Sequence, residues 1–172
     1  MDMHRYDFLK HKCDIRLKAE ADSLEGLFYA ALEGMNSVLA AENGSLPEAS
    51  IHSRPGANAQ ILPEASVHNL PGASAQTLPT ENREKLNLNI DSADTTALLI
   101  DFLSEVLTES NIEYRIFDKL ELQELKENHL TAVLYGKSVD RFDTDIKAVT
   151  YHEADVKINR KGYYETVIVF DI

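Results

Sequence analysis

At 172 residues the chain is long enough for one domain with a real core and too short for two comfortable ones. With 29 acidic against 17 basic residues, a formal net charge of −12, its surface on average repels a polyanion, which argues against direct nucleic-acid binding. The single Cys13 can form no internal disulfide, and no apolar run reaches signal-peptide or membrane-spanning length, so the expectation is a cytoplasmic protein with no membrane partner.

"RYDFL" (5–9) reads as a first strand, followed by the strict alternation of "CDIRLKAEA" (13–21). Cys13, Ile15, Leu17 and Ala19 fall on one face of that second strand, and Asp14, Arg16, Lys18 and Glu20 on the other, as in a half-buried strand. Ser23 is placed to cap a helix whose apolar stripe runs Leu24, Leu27, Phe28, Ala31, Leu32, Met35, Val38, Leu39. After an interruption, "KLNLNID" (85–91) alternates again. Ser92 or Asp94 then caps a second helix with a stripe through Leu98, Leu99, Phe102, Leu103, Val106 and Leu107, stopping near Asn111. The remainder reads as strands: "IEYRIF", "KLELQEL", "HLTAVLYG", "IKAVTYHEADVKIN" and "YYETVIVFDI", the last two joined by a hairpin across "RKG".

The interruption is a tandem duplication. "LPEASIHSRPGANAQI" (46–61) is followed at once by "LPEASVHNLPGASAQT" (62–77), and these two copies hold four of the five prolines. Units rich in Pro, Gly, Ala and Ser cannot bury a continuous face, so residues 42–84 read as a low-complexity, mobile surface insertion. His52 and His68 recur only because the unit recurs. The whole is a single α+β domain, 1–172, with two amphipathic helices packed on a mostly antiparallel mixed sheet in two layers.

Two short motifs lead nowhere. "YGKS" (135–138) resembles the tail of a phosphate-binding loop, but Thr131 stands where the pattern requires glycine, and no helix follows. "NGS" (43–45) matches a glycosylation acceptor that a cytoplasmic chain would never present to that machinery. Cys13 sits on the apolar face of its strand, as a small core residue would.

The sequence ends on an apolar, β-branched run with Asp171 next to the last residue, Ile172. If that strand lies beside the Asp14 strand, Asp14, Asp171 and the carboxylate of Ile172 converge. Three carboxylates repel one another unless a cation joins them, and hard divalent ions favour such oxygen ligands. His11 lies three residues from Asp14, where one strand turns into the next.

In order, "HKCDI" (11–15), "DSLEGLFYAALEGM" (22–35), "DTTALLIDFLSEVL" (94–107), "IKAVTYHEADV" (146–156) and "VIVFDI" (167–172) resemble the archease family, accessory proteins of the RtcB-type RNA-splicing ligase. The resemblance spans nearly the whole chain outside the insertion. It implies a non-enzymatic activator that promotes guanylylation of the ligase and its multiple turnover in tRNA splicing or RNA repair. It also implies a divalent cation, calcium with magnesium or manganese as alternatives, held by Asp14, Asp171 and Ile172. Lys147 corresponds to the family's functional lysine, reaching the partner's active site. Lys10, Lys12 and Cys13 depart from the family pattern beside Asp14, and the two added positive charges should weaken a cation site or change how the partner docks. The competing readings are a stand-alone metal-dependent hydrolase using Asp14 and Asp171, and a general protein chaperone.

Overall fold

The computed structural model describes residues 3–9, 14–40 and 84–172, together with the backbone of 50–53. Strands β1 (Met3–Leu9) and β2 (Asp14–Ala21) form an antiparallel pair that places His4, Tyr6 and Phe8 opposite Ala21, Ala19 and Leu17. That shared face is the buried one, as the alternation requires. Ser23 caps helix α1 (Leu24–Leu39) by accepting a hydrogen bond from the Gly26 N–H at 3.0 Å. Gly34 lets α1 settle onto β2, since a Cβ there would meet Leu17 Cδ2 at 2.5 Å.

Strand β3 (Ser50–Ser53) pairs with β1 inside a stretch that the sequence assigned to the insertion. The rest of that insertion up to residue 83, including His68, lies outside the described residues, as does the side chain of His52. Strand β4 (Glu84–Asp91) leads to helix α2 (Thr95–Glu113), capped by Asp94, which accepts from the Ala97 N–H at 2.8 Å. The helix passes the expected stop at Asn111 because the left-handed terminating residue is Tyr114, whose N–H returns to the Ser110 carbonyl. The two strands expected over 112–125 are one, β5 (Arg115–Leu125), which shifts register between Phe117 and Lys119 and again between Leu122 and Glu124. Such irregularities let one strand continue through a break in its alternation.

Strand β6 (His129–Ser138) lies between β4 and β5 in a three-stranded sheet. The run expected as one strand over 146–159 is divided into β7 (Ala148–Thr150) and β8 (Lys157–Ile158). Between them Glu153 takes a positive φ of 63°. The Val156 N–H bonds Thr96 Oγ1, and Tyr151 donates to Asp101, so this segment follows α2 rather than the sheet edge. Strand β9 (Tyr164–Asp171) pairs with β8 through the predicted hairpin, where Gly162 at φ 84° supplies the left-handed turn.

The fold is α+β. The strands sort into two sheets, one ordered β3-β1-β2-β9-β7 with β8 on β9, the other β4-β6-β5, and every described pairing is antiparallel. Helix α1 packs on β1, β2 and β5, and α2 on β5 and β7. They share a core in which Phe28 and Phe102 meet at 5.4 Å between ring centres. Truncating either fully buried ring to alanine would cost about 3–5 kcal/mol.

Candidate functional site

Strand β9 runs between β2 and β7, so its end is flanked on both sides. On one side Asp14 is the direct cross-strand partner of Asp171, and the next pair inward is Ile15 with Phe170. Ile15 and Phe170 are 7% and 0% exposed, which anchors that pair in the core. Alternation then sends Asp14 and Asp171 to the opposite face, where Cβ atoms of directly opposed residues lie about 4.5–5.5 Å apart. On the other side Asp171 faces Ala148 of β7, and the Lys147 N–H donates to the Asp171 carbonyl at 2.8 Å. Ile146 is fully buried, and Lys147 after it is exposed. Ile172 is 41% exposed at the end of the same strand.

Four residues nominated from sequence thus share one edge of the larger sheet: Asp14, Asp171, Ile172 and Lys147. His11, Lys10, Lys12 and Cys13 lie outside the described residues. Among the described residues no group of three or more His, Cys, Asp and Glu side chains is arranged to hold a metal ion. The side-chain donors at this edge are therefore the two aspartates, and the carboxylate of Ile172 would be the third. As an all-oxygen, anionic set on one strand pair, these donors fit a hard divalent cation in kind.

A second acidic pair shares this face at the other end of the two strands. Glu20 is opposite Glu165, and Lys18 Nζ approaches them at 3.9 and 3.2 Å. Arg5 also binds Glu20, while Asn159 donates to Glu165 at 3.1 Å. The Asn159 hydrogen bond and the Lys18 charge hold the Glu165 carboxyl below its ordinary value. Sequence reasoning missed this pair, because Glu20 looked like one more solvated residue until β9 was laid beside it. It also missed the tie between β7 and α2. Tyr151 donates to Asp101, whose other oxygen accepts from Ser92 Oγ at 2.5 Å, and the Asp101 hydrogen bond pushes the Tyr151 phenol up to about 12.

The Archease protein family model matches residues 55–172, more than half of the chain. The chain belongs to the archease family. "Protein archease" of Methanosarcina mazei is 26% identical over 174 residues, covering 96% of this chain and 94% of that protein. The Methanopyrus kandleri protein of the same name is 31% identical over 100 residues, or 54% of this chain and 70% of that one. Two solved structures share the fold. The solution structure of Methanobacterium thermoautotrophicum protein 1598 has a TM-score of 0.60 at 21% identity, covering 97% of this chain and 98% of that one. The crystal structure of a Thermotoga maritima protein, described as an archease and possible chaperone, has a TM-score of 0.54 at 17% identity, covering 95% and 94%. Three of the five stretches that suggested the family, 94–107, 146–156 and 167–172, lie within the residues its model matches. No helix among the described residues is long and apolar enough to cross a membrane.

Proposed function

We propose that the chain is a non-catalytic activator of an RtcB-type RNA ligase, acting on the protein rather than on its RNA. The observation that carries this reading is the placement of Asp14 directly opposite Asp171, with Lys147 hydrogen-bonded to the Asp171 backbone on the other side. Asp14, Asp171 and the carboxylate of Ile172 would hold a divalent cation, calcium or else magnesium or manganese. When bound, such an ion supplies positive charge beside the phosphates of a nucleotide in the partner's site.

The chain's own residues do the rest. The β2–β9 register holds the two aspartates side by side, and buried Ile146 fixes the direction in which Lys147 leaves the surface. An ammonium at the tip of that exposed side chain can approach a transferring phosphoryl group and stabilise the charge that develops on it. Nothing in this role requires a base or nucleophile from the activator, which separates it from the hydrolase reading. The general-chaperone reading draws support from the Thermotoga maritima protein of the same fold, described as a possible chaperone. It predicts binding to unrelated unfolded clients, with no dependence on Lys147.

The test is a single-turnover guanylylation assay with the ligase, GTP and saturating activator. Lys147→Ala should keep the fold and cation affinity while slowing guanylylation about tenfold or more. An unchanged rate would return Lys147 to an ordinary solvated residue.

A further inference from the structure

Helix α2 ends in an unusual way. The left-handed position that closes a helix is ordinarily taken by glycine, sometimes asparagine, because a side chain is strained there. Here it is Tyr114, at φ 50° and ψ 60°. Burial recovers little of that strain, since Tyr114 is 57% exposed, with its ring stacked on Phe142 at 6.1 Å and 10°. Two residues earlier, Ile112 is 63% exposed. A strained backbone and two exposed apolar side chains at one helix end lower stability, and such outliers cluster where a surface is used.

This end is continuous with the candidate site. The segment 139–147 runs from one to the other and is tied at four-residue intervals by main-chain hydrogen bonds. The Val139 N–H donates to the Tyr114 carbonyl at 2.8 Å, that of Asp143 to Leu39 at 2.9 Å, and that of Lys147 to Asp171 at 2.8 Å. The segment is therefore fixed to the ends of α2, α1 and β9 in turn. Its exposed side chains are Asp140, Arg141, Asp143 and Asp145 before it reaches Lys147, with Arg141 3.9 Å from Asp143, so the stretch 140–145 is acidic on balance.

We propose that Ile112, Tyr114 and the three aspartates form the surface by which the chain docks on its protein partner, with Tyr114 as the anchor. This rests on the ligase reading above, and charge complementarity selects the occupant. An enzyme that binds RNA and a nucleoside triphosphate needs a cationic entrance, and an acidic rail leading to Lys147 complements it. Exposed tyrosine set on a rigid frame is also the residue type that dominates binding hot spots.

The position offers a clean test, because asparagine tolerates the left-handed conformation better than tyrosine does. Tyr114→Asn should melt at the same temperature as wild type or higher. Its affinity for the ligase, measured by surface-based binding kinetics, should fall at least tenfold. At saturating concentration it should still support the full guanylylation rate. A triple Asp140→Asn, Asp143→Asn, Asp145→Asn variant should associate more slowly and lose most of the salt dependence of association. Tyr114→Asn affinity within twofold of wild type would overturn the proposal, as would a lost maximal rate at unchanged affinity. Loss of a concentration-dependent dimer in Tyr114→Asn would reassign the surface to a second copy of this chain. If wild type neither binds nor stimulates the ligase, the underlying reading fails and this proposal fails with it.

Discussion

The two acidic pairs on the β2–β9 face, Glu20 with Glu165 and Asp14 with Asp171, share a strand pair, a face and a like-charge conflict. Directly opposed like charges destabilise a sheet unless something compensates them. At the glutamate end the compensation is built in, through Lys18, Arg5 and Asn159, and Glu20 is buried to 5% exposure. At the aspartate end Arg16, the next cation along β2, pairs with Glu153, and Asp171 is exposed. One pair is a closed structural joint. In the other, Asp171 presents its charge outward, beside Lys147. The glutamate pair, held by Lys18, Arg5 and Asn159, ties the two strands together, whereas the exposed carboxylate of Asp171 can be reached from outside the chain.

The largest effects are expected at the aspartate end. Asp171→Asn and Asp14→Asn should each reduce divalent-ion affinity, measured by isothermal calorimetry, by more than the 10–100-fold typical of outer-shell partners. For Asp171→Asn the ion-free Tm should stay level or rise as repulsion is relieved. Unchanged affinity in both variants would place the cation elsewhere.

At the glutamate end the sign reverses. Lys18→Ala removes the cation between Glu20 and Glu165 and should destabilise the fold by about 1–2 kcal/mol in chemical denaturation, without changing ion affinity. A neutral Lys18→Ala would mean that Arg5 and Asn159 suffice.

The smallest effect is in the pH dependence. The Glu165 carboxyl is held below its ordinary value of 4.5, first by Asn159 and then by Lys18. A depressed carboxyl stabilises the folded state fully above its unfolded value, and that contribution is lost as pH falls through the folded value. Stability should therefore decline below about pH 4.5 more steeply in wild type than in Glu165→Gln, measured by urea midpoints across pH 3–6. Parallel pH curves would show that Glu165 gains nothing from its neighbours.

Much of this was legible in the residues themselves. The stripes of α1 and α2 and the alternation of β2 and β9 emerged where periodicity placed them, and Ser23 and Asp94 cap as their chemistry suggests. Local patterns failed where a tertiary contact overrode them. Ser92, an equally plausible cap, bonds Asp101 instead. The strand over 146–159 breaks because Tyr151 and Val156 are drawn to α2. The helix outruns Asn111 to end on a tyrosine that no rule of helix termination would choose.

Sequence alone determined which faces are apolar, which residues carry charge, and the resemblance to the archease family. Only the tertiary structure decided which charges meet. The separation of Asp14 from Asp171 is almost the full length of the chain, so no local periodicity can set their register. It is set by packing instead. Ile15 and Phe170 must both enter the core, and slipping the register by one residue would turn the apolar side chains outward. The buried face thereby fixes the exposed one. The same constraint that excludes water from Ile15 and Phe170 holds two carboxylates side by side next to Lys147.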